Sequence, residues 1–212
     1  MGLFDLFSKK KTIVKQNVKT EKDAMALLDK VDPSFRKRQA DLEYQNKLLD
    51  RVNAAREKYK EDKDLEKAIE EYEFAFVKSN PPCLTSQDID LADLYMKAGQ
   101  NDKAWGYLNQ LMMRRTSPDP HIRFMQAKIL KKEEKYAYAI EMFALGYYYK
   151  SIPNMAFQED KFQKDIASSV KKLGWDQEKV NGIIKIVKSV PHKDNFAEDK
   201  LVKQLRAFMG CE

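Results

Sequence analysis

Apolar residues recur along most of this chain at three- and four-residue intervals, the spacing of one buried helix face. Between Asp50 and Lys150 this pattern predicts a helix-turn-helix unit repeated three times. The clearest copy runs from Lys63 to Asn80, a second from Gly99 to Leu111, and a third from Glu134 to Gly146. Aligned on Ala68, Ala104 and Ala139, the copies recur about every 35 residues, the range of paired-helix repeats.

Helical spacing also flanks this region. Thr20-Glu-Lys-Asp23 predicts a helix start resembling a capping box, followed by Ala24, Leu27, Leu28 and Val31. Asp32-Pro33 breaks that run, and a second helix is expected from Pro33 or Ser34 towards Tyr59. Beyond Lys150 three amphipathic helices are expected, over Asn154–Leu173, Asp176–Val187 and Asn195–Phe208. Gly174 would end the first and Asp176 would cap the second. A repeat array needs an end that hides its last apolar face, and these helices suit that role. The expected divisions are an N-terminal segment over 1–19, N-terminal helices over 20–48, repeats over 49–151 and a helical cap over 152–212, continuous with the array.

In each second helix a small residue is followed one turn later by a large one, then by another small one in the first and third copies, while the second has Leu111 there. The first copy supplies Ala68, Tyr72 and Ala75, the second Ala104, Leu108 and Leu111, and the third Ala139, Phe143 and Gly146. Small side chains let helices approach, and the large one fills the adjoining gap. The first helices carry Ala55, Arg56 and Tyr59, then Leu91, Ala92 and Tyr95, then Gln126, Ala127 and Leu130. Gly99 stands in the second turn, where a left-handed residue is useful, and Lys63 and Glu134 occupy the equivalent turns. Over about half the chain these residues resemble the tetratricopeptide repeat family. The resemblance implies an all-α, right-handed α-solenoid of about three helix-turn-helix repeats with helical extensions at both ends. A plain helical bundle or another helical-hairpin repeat is the alternative.

The resemblance also implies that first helices line a concave groove. That places Asn53, Glu57 and Lys60 there from the first copy, and Ile89, Asp93 and Met96 from the second. The third copy gives Phe124, Lys128 and Lys131. Some family members clamp a peptide's terminal carboxylate on these helices, but Glu57 and Asp93 oppose that here. An extended peptide or helix with an apolar anchor and acidic flanks suits the strip better.

Composition narrows the function further. The chain has 212 residues, 34% of them charged, and a formal net charge of +6 spread along its length. That charge favours anionic partners weakly, but lacks the dense basic stripe of a nucleic-acid binder. Cys83 and Cys211 lie far apart and make no metal-ligand spacing, consistent with a reducing cytoplasmic setting. No apolar run is long enough to span a bilayer. Leu3, Phe4, Leu6 and Phe7, followed by Lys9, Lys10 and Lys11, are candidate membrane-surface contacts.

Catalytic signatures are missing: there is no Gly-rich phosphate loop and no nucleophile elbow. Asp119 beside His121 reads as a helix cap, His192 lies in a predicted loop, and no cofactor or metal is expected. The leading expectation is therefore a non-catalytic cytoplasmic adaptor that holds a protein or peptide in its groove. The alternative is a peripheral membrane-surface or anionic-polymer binder using the N-terminal segment. Self-association through exposed turns is compatible with both.

Overall fold

The computed structural model describes residues 32, 34–83, 85–151, 156–192 and 196–211. The Leu3–Lys11 segment and the helix expected from Thr20 lie outside the described residues. Those described form nine α-helices and no strand. The first four are α1 (Phe35–Asp62), α2 (Leu65–Glu73), α3 (Asp90–Lys97) and α4 (Asn101–Arg114). They are followed by α5 (Pro120–Lys132), α6 (Tyr136–Lys150), α7 (Glu159–Lys172), α8 (Gln177–Ser189) and α9 (Ala197–Met209).

Local chemistry sets many of these boundaries. The Asp64, Asp119 and Asp176 carboxylates accept from the backbone amides of Lys67, His121 and Lys179, capping α2, α5 and α8. Pro120 occupies the first turn of α5, where its missing amide proton costs nothing. The turns inside the hairpins share one backbone device. Lys63, Gly99 and Glu134 are all left-handed, with φ of 59°, 73° and 60°. Each directly precedes the N-cap of the next helix. In the second and third turns the closing bond is also common: Gln100 N donates to Tyr95 O, and Lys135 N to Leu130 O. Gly174 repeats the conformation between α7 and α8, where Trp175 N donates to Val170 O.

The helix expected from Asn154 begins at Glu159, where Glu159 and Asp160 place negative charge on its positive end. A π-helical turn, Phe74–Lys78, extends α2, and a 3-10 turn, Ser86–Ile89, leads into α3. The expected boundary at residues 48 and 49 falls inside α1, a continuous 28-residue helix. Of its residues only Leu48 and Val52 are buried, while Leu42 is exposed.

Packing follows chain order. Helices α1 with α2, α3 with α4, and α5 with α6 pair as hairpins, and α2 meets α3 as α4 meets α5. Helix α3 also touches α5, and α6 touches α8. Ala68, Ala75, Ala104 and Ala139 are all buried, as are the large partners Tyr72, Leu108 and Phe143. Helix α5 feeds two cores. Ile122, Met125 and Ile129 belong to one that reaches back to Leu48, and Ala127 to another that runs on to Met209.

The second core seals the C-terminal end. Helix α9 packs back on α6, where the Arg206 guanidinium grips the buried Glu141 carboxylate with two bonds of 2.7 and 3.0 Å. Glu198 at the start of α9 binds Arg123 of α5 and accepts from the Tyr149 hydroxyl of α6. Phe208 lies over Gly182 of α8, where any Cβ would overlap the ring.

Candidate functional site

The structure gathers part of the expected groove into one place. Ile89, Phe124, Lys128 and Lys131 line a single concavity of about 420 Å³, together with His121, Met125, Phe143, Lys164 and Asp165. The 3-10 turn before α3 supplies Ile89, α5 the central stripe, and α7 the far wall. Asn53, Glu57 and Lys60 are exposed on α1 but do not line it, and neither does Asp93. Met96 is a correction to the expected apolar strip. Its side chain is 5% exposed and belongs to the first core, so only its backbone oxygen is offered, to Lys132 Nζ at 2.7 Å. Helix α3 has eight residues and buries five of them, Met96 included, because it is wedged between hairpins.

Phe124 forms the floor. Its ring centroid lies 5.1 Å from Tyr147 and 6.3 Å from Phe143, and His121 meets it edge-on at 6.2 Å. The ring occupies the notch left by Gly146, where an added Cβ would overlap it. This gives the small residue of the third copy a specific purpose: it lets α6 carry the Phe124 ring against its backbone. The Tyr147 hydroxyl donates to Asp165 at 2.6 Å, and burial followed by that carboxylate pushes its pKa well above the ordinary tyrosine value.

The rim is cationic. Lys131 Nζ lies 5.9 Å from the Phe143 ring centroid, and Lys128 Nζ lies 3.7 Å from Met125 Sδ. Among the described residues Lys128, Lys131 and Lys164 form no ion pair. The equivalent acidic positions differ. Glu57 is paired with Lys60 at 2.7 Å and Asp93 with Lys97 at 2.8 Å, so that half of the face is internally compensated.

The sequence reading missed His121, Met125, Phe143, Lys164 and Asp165 as groove residues. One signal was available: Glu57, Asp93, Lys128 and Lys164 fall at successive steps of about 35 residues. Extending the period once beyond Lys150 finds Lys164. Phe162 and Ile166 are fully buried at the matching apolar positions of α7.

Two other features held candidate chemistry. A larger cavity of about 630 Å³ lies between the loops flanking α3 and α4, lined by Cys83, Asp88, Tyr107, Arg114, Arg115 and Asp119 among others. There Arg115 is bound by both Asp88 and Asp119. Burial, then the Asp88 charge, raises the Cys83 pKa and keeps it a thiol, the weaker nucleophile. His192 packs against Tyr148 at the end of α6, with Nε2 3.2 Å from Ser151 Oγ, away from His121 on α5. Among the described residues no group of three or more His, Cys, Asp or Glu side chains is placed to hold a metal ion. No described helix is long and apolar enough to cross a membrane. The chain matches no protein-family model, and comparison with curated proteins and with solved structures returns no match.

Proposed function

We propose that this chain is a tetratricopeptide-like solenoid that acts as a non-catalytic adaptor, holding a segment of a partner protein against α5, α7 and the 3-10 turn that leads into α3. The observation that carries this reading is the concavity itself. Ile89, Phe124, Lys128 and Lys131, expected in a shared groove from their repeat positions, line it together. The recurrent left-handed turn at Lys63, Gly99 and Glu134 supports the repeat, because two of the three residues adopt that backbone against their own preference. Helices α7 and α8 then read as a fourth hairpin. Val180, Ile184 and Val187, all buried, follow the spacing of Ala68, Tyr72 and Ala75. An aromatic floor with a charged rim suits recognition, since buried aromatic anchors carry most interface energy and rim charges set partner choice.

Site-specific photocrosslinking tests the reading. A photoreactive residue at Lys128 should trap a discrete partner from native lysate, and the same residue at the exposed Gln110 of α4 should not. Equal trapping at both positions would place the interaction elsewhere.

A further inference from the structure

The concavity is asymmetric along α5, and the asymmetry specifies its occupant. Phe124 and Met125 stand towards the N-terminal end of the helix, and Ile89 shares their concavity. Lys128 and Lys131 stand towards the C-terminal end, and Lys164 of α7 lines the same concavity. The one carboxylate in the lining, Asp165, accepts the Tyr147 hydroxyl. Three ammonium groups beside an aromatic floor leave a local positive excess that the described residues do not neutralise. We propose that the site takes an acidic peptide segment with one bulky apolar anchor, seated over α5 and α7. This rests on the adaptor reading and names the chemistry of its partner.

The geometry also sets the spacing within that segment. At about 1.5 Å of rise per residue, Lys128 lies roughly 6 Å and Lys131 roughly 10 Å along α5 from Phe124. An extended peptide advances about 3.3 Å per residue, so its acidic residues belong roughly two to three positions from the anchor. The acidic residues meet lysines that have no competing ion pair. On the α1 and α3 side Glu57 and Asp93 are already paired with Lys60 and Lys97, so that half offers no unpaired cation to an acidic segment, and the α5–α7 half does.

Selection from a display library of randomised short peptides tests this, run on the full chain and on the Lys128→Glu, Lys164→Glu double variant. Both lysines are exposed, so the variant keeps its packing, and circular dichroism checks that it does. Peptides enriched on the wild type should carry an apolar anchor with acidic residues two or three positions away. They should crosslink to position 128, and lose roughly tenfold or more in affinity on the double variant. Enriched peptides that crosslink there without acidic residues would overturn the acidic specificity and leave the groove reading standing. Acidic peptides that bind equally well without the anchor would reduce the site to general anion attraction and overturn the proposal. Enriched peptides that crosslink only outside the concavity would overturn both.

Discussion

Arg206→Met isolates the contact that closes the C-terminal end. Glu141 is 1% exposed, and the Arg206 guanidinium supplies both of its bonds. Removing one partner of a buried pair typically costs about 3–5 kcal/mol, because the remaining charge stays desolvated. The Arg206 side chain is itself 44% exposed, so water can partly replace it and the cost falls to about 2 kcal/mol. Methionine keeps the aliphatic packing, so the loss reports the ion pair. For a chain of this size that is a fall of about 4–8 °C in Tm. Thermal unfolding followed by far-ultraviolet circular dichroism reads it directly. The account also predicts an asymmetry. Glu141→Leu should cost under about 1 kcal/mol, since the orphaned guanidinium reaches solvent, and Glu141→Leu with Arg206→Met should restore most of the loss. Equal losses from the two single variants, or no recovery in the double, would refute the reasoning.

Other consequences follow from the turns, the floor and the tyrosines. Gly99→Ala should cost about 1 kcal/mol from backbone strain alone, because no atom lies within 4 Å of the added Cβ. Lys63→Gly and Glu134→Gly should each raise stability by up to about 0.5 kcal/mol, measured by urea unfolding, since glycine relieves the strain but frees the unfolded chain. Gly146→Ala should lower Tm and, in a crystal structure of the variant, displace the Phe124 ring from its notch; an unmoved ring would contradict the packing. Tyr95, Tyr107, Tyr147 and Tyr149 all have raised pKa values, with burial the largest cause. Their contribution to stability is fully present below the unfolded value of about 10 and is lost as pH rises above it. Tyrosinate absorbance should therefore show these four appearing together with cooperative unfolding.

Much of the helix plan was readable because its signals are local. Asp119 and Asp176 cap as their spacing predicts, Gly99 takes the left-handed turn, and Ala68, Ala104 and Ala139 are buried at hairpin contacts. The π-helical turn at Phe74–Lys78 was not readable. It is held by Ser79 Oγ donating to Ala75 O and by Cys83 N folding back to the same oxygen. Met96 failed for a related reason: helical spacing gives the face a residue occupies but not how far neighbouring hairpins cover it. Lys63 and Glu134 carry no sign of a left-handed backbone, and only the repeat position marks them. Phe143, Lys164 and Asp165 were missed because they reach the site from α6 and α7, outside the first helices of the three recognised copies, and only Lys164 is marked by the period.

The central claim is that a partner lies in the α5–α7 concavity. Hydrogen–deuterium exchange of the chain alone and with its crosslink-identified partner tests it most directly. The account predicts new protection concentrated over residues 121–131 and 160–167, with α4 and α8 unchanged. Protection confined to the outer faces of α4 and α8, or to residues 1–31, would contradict it.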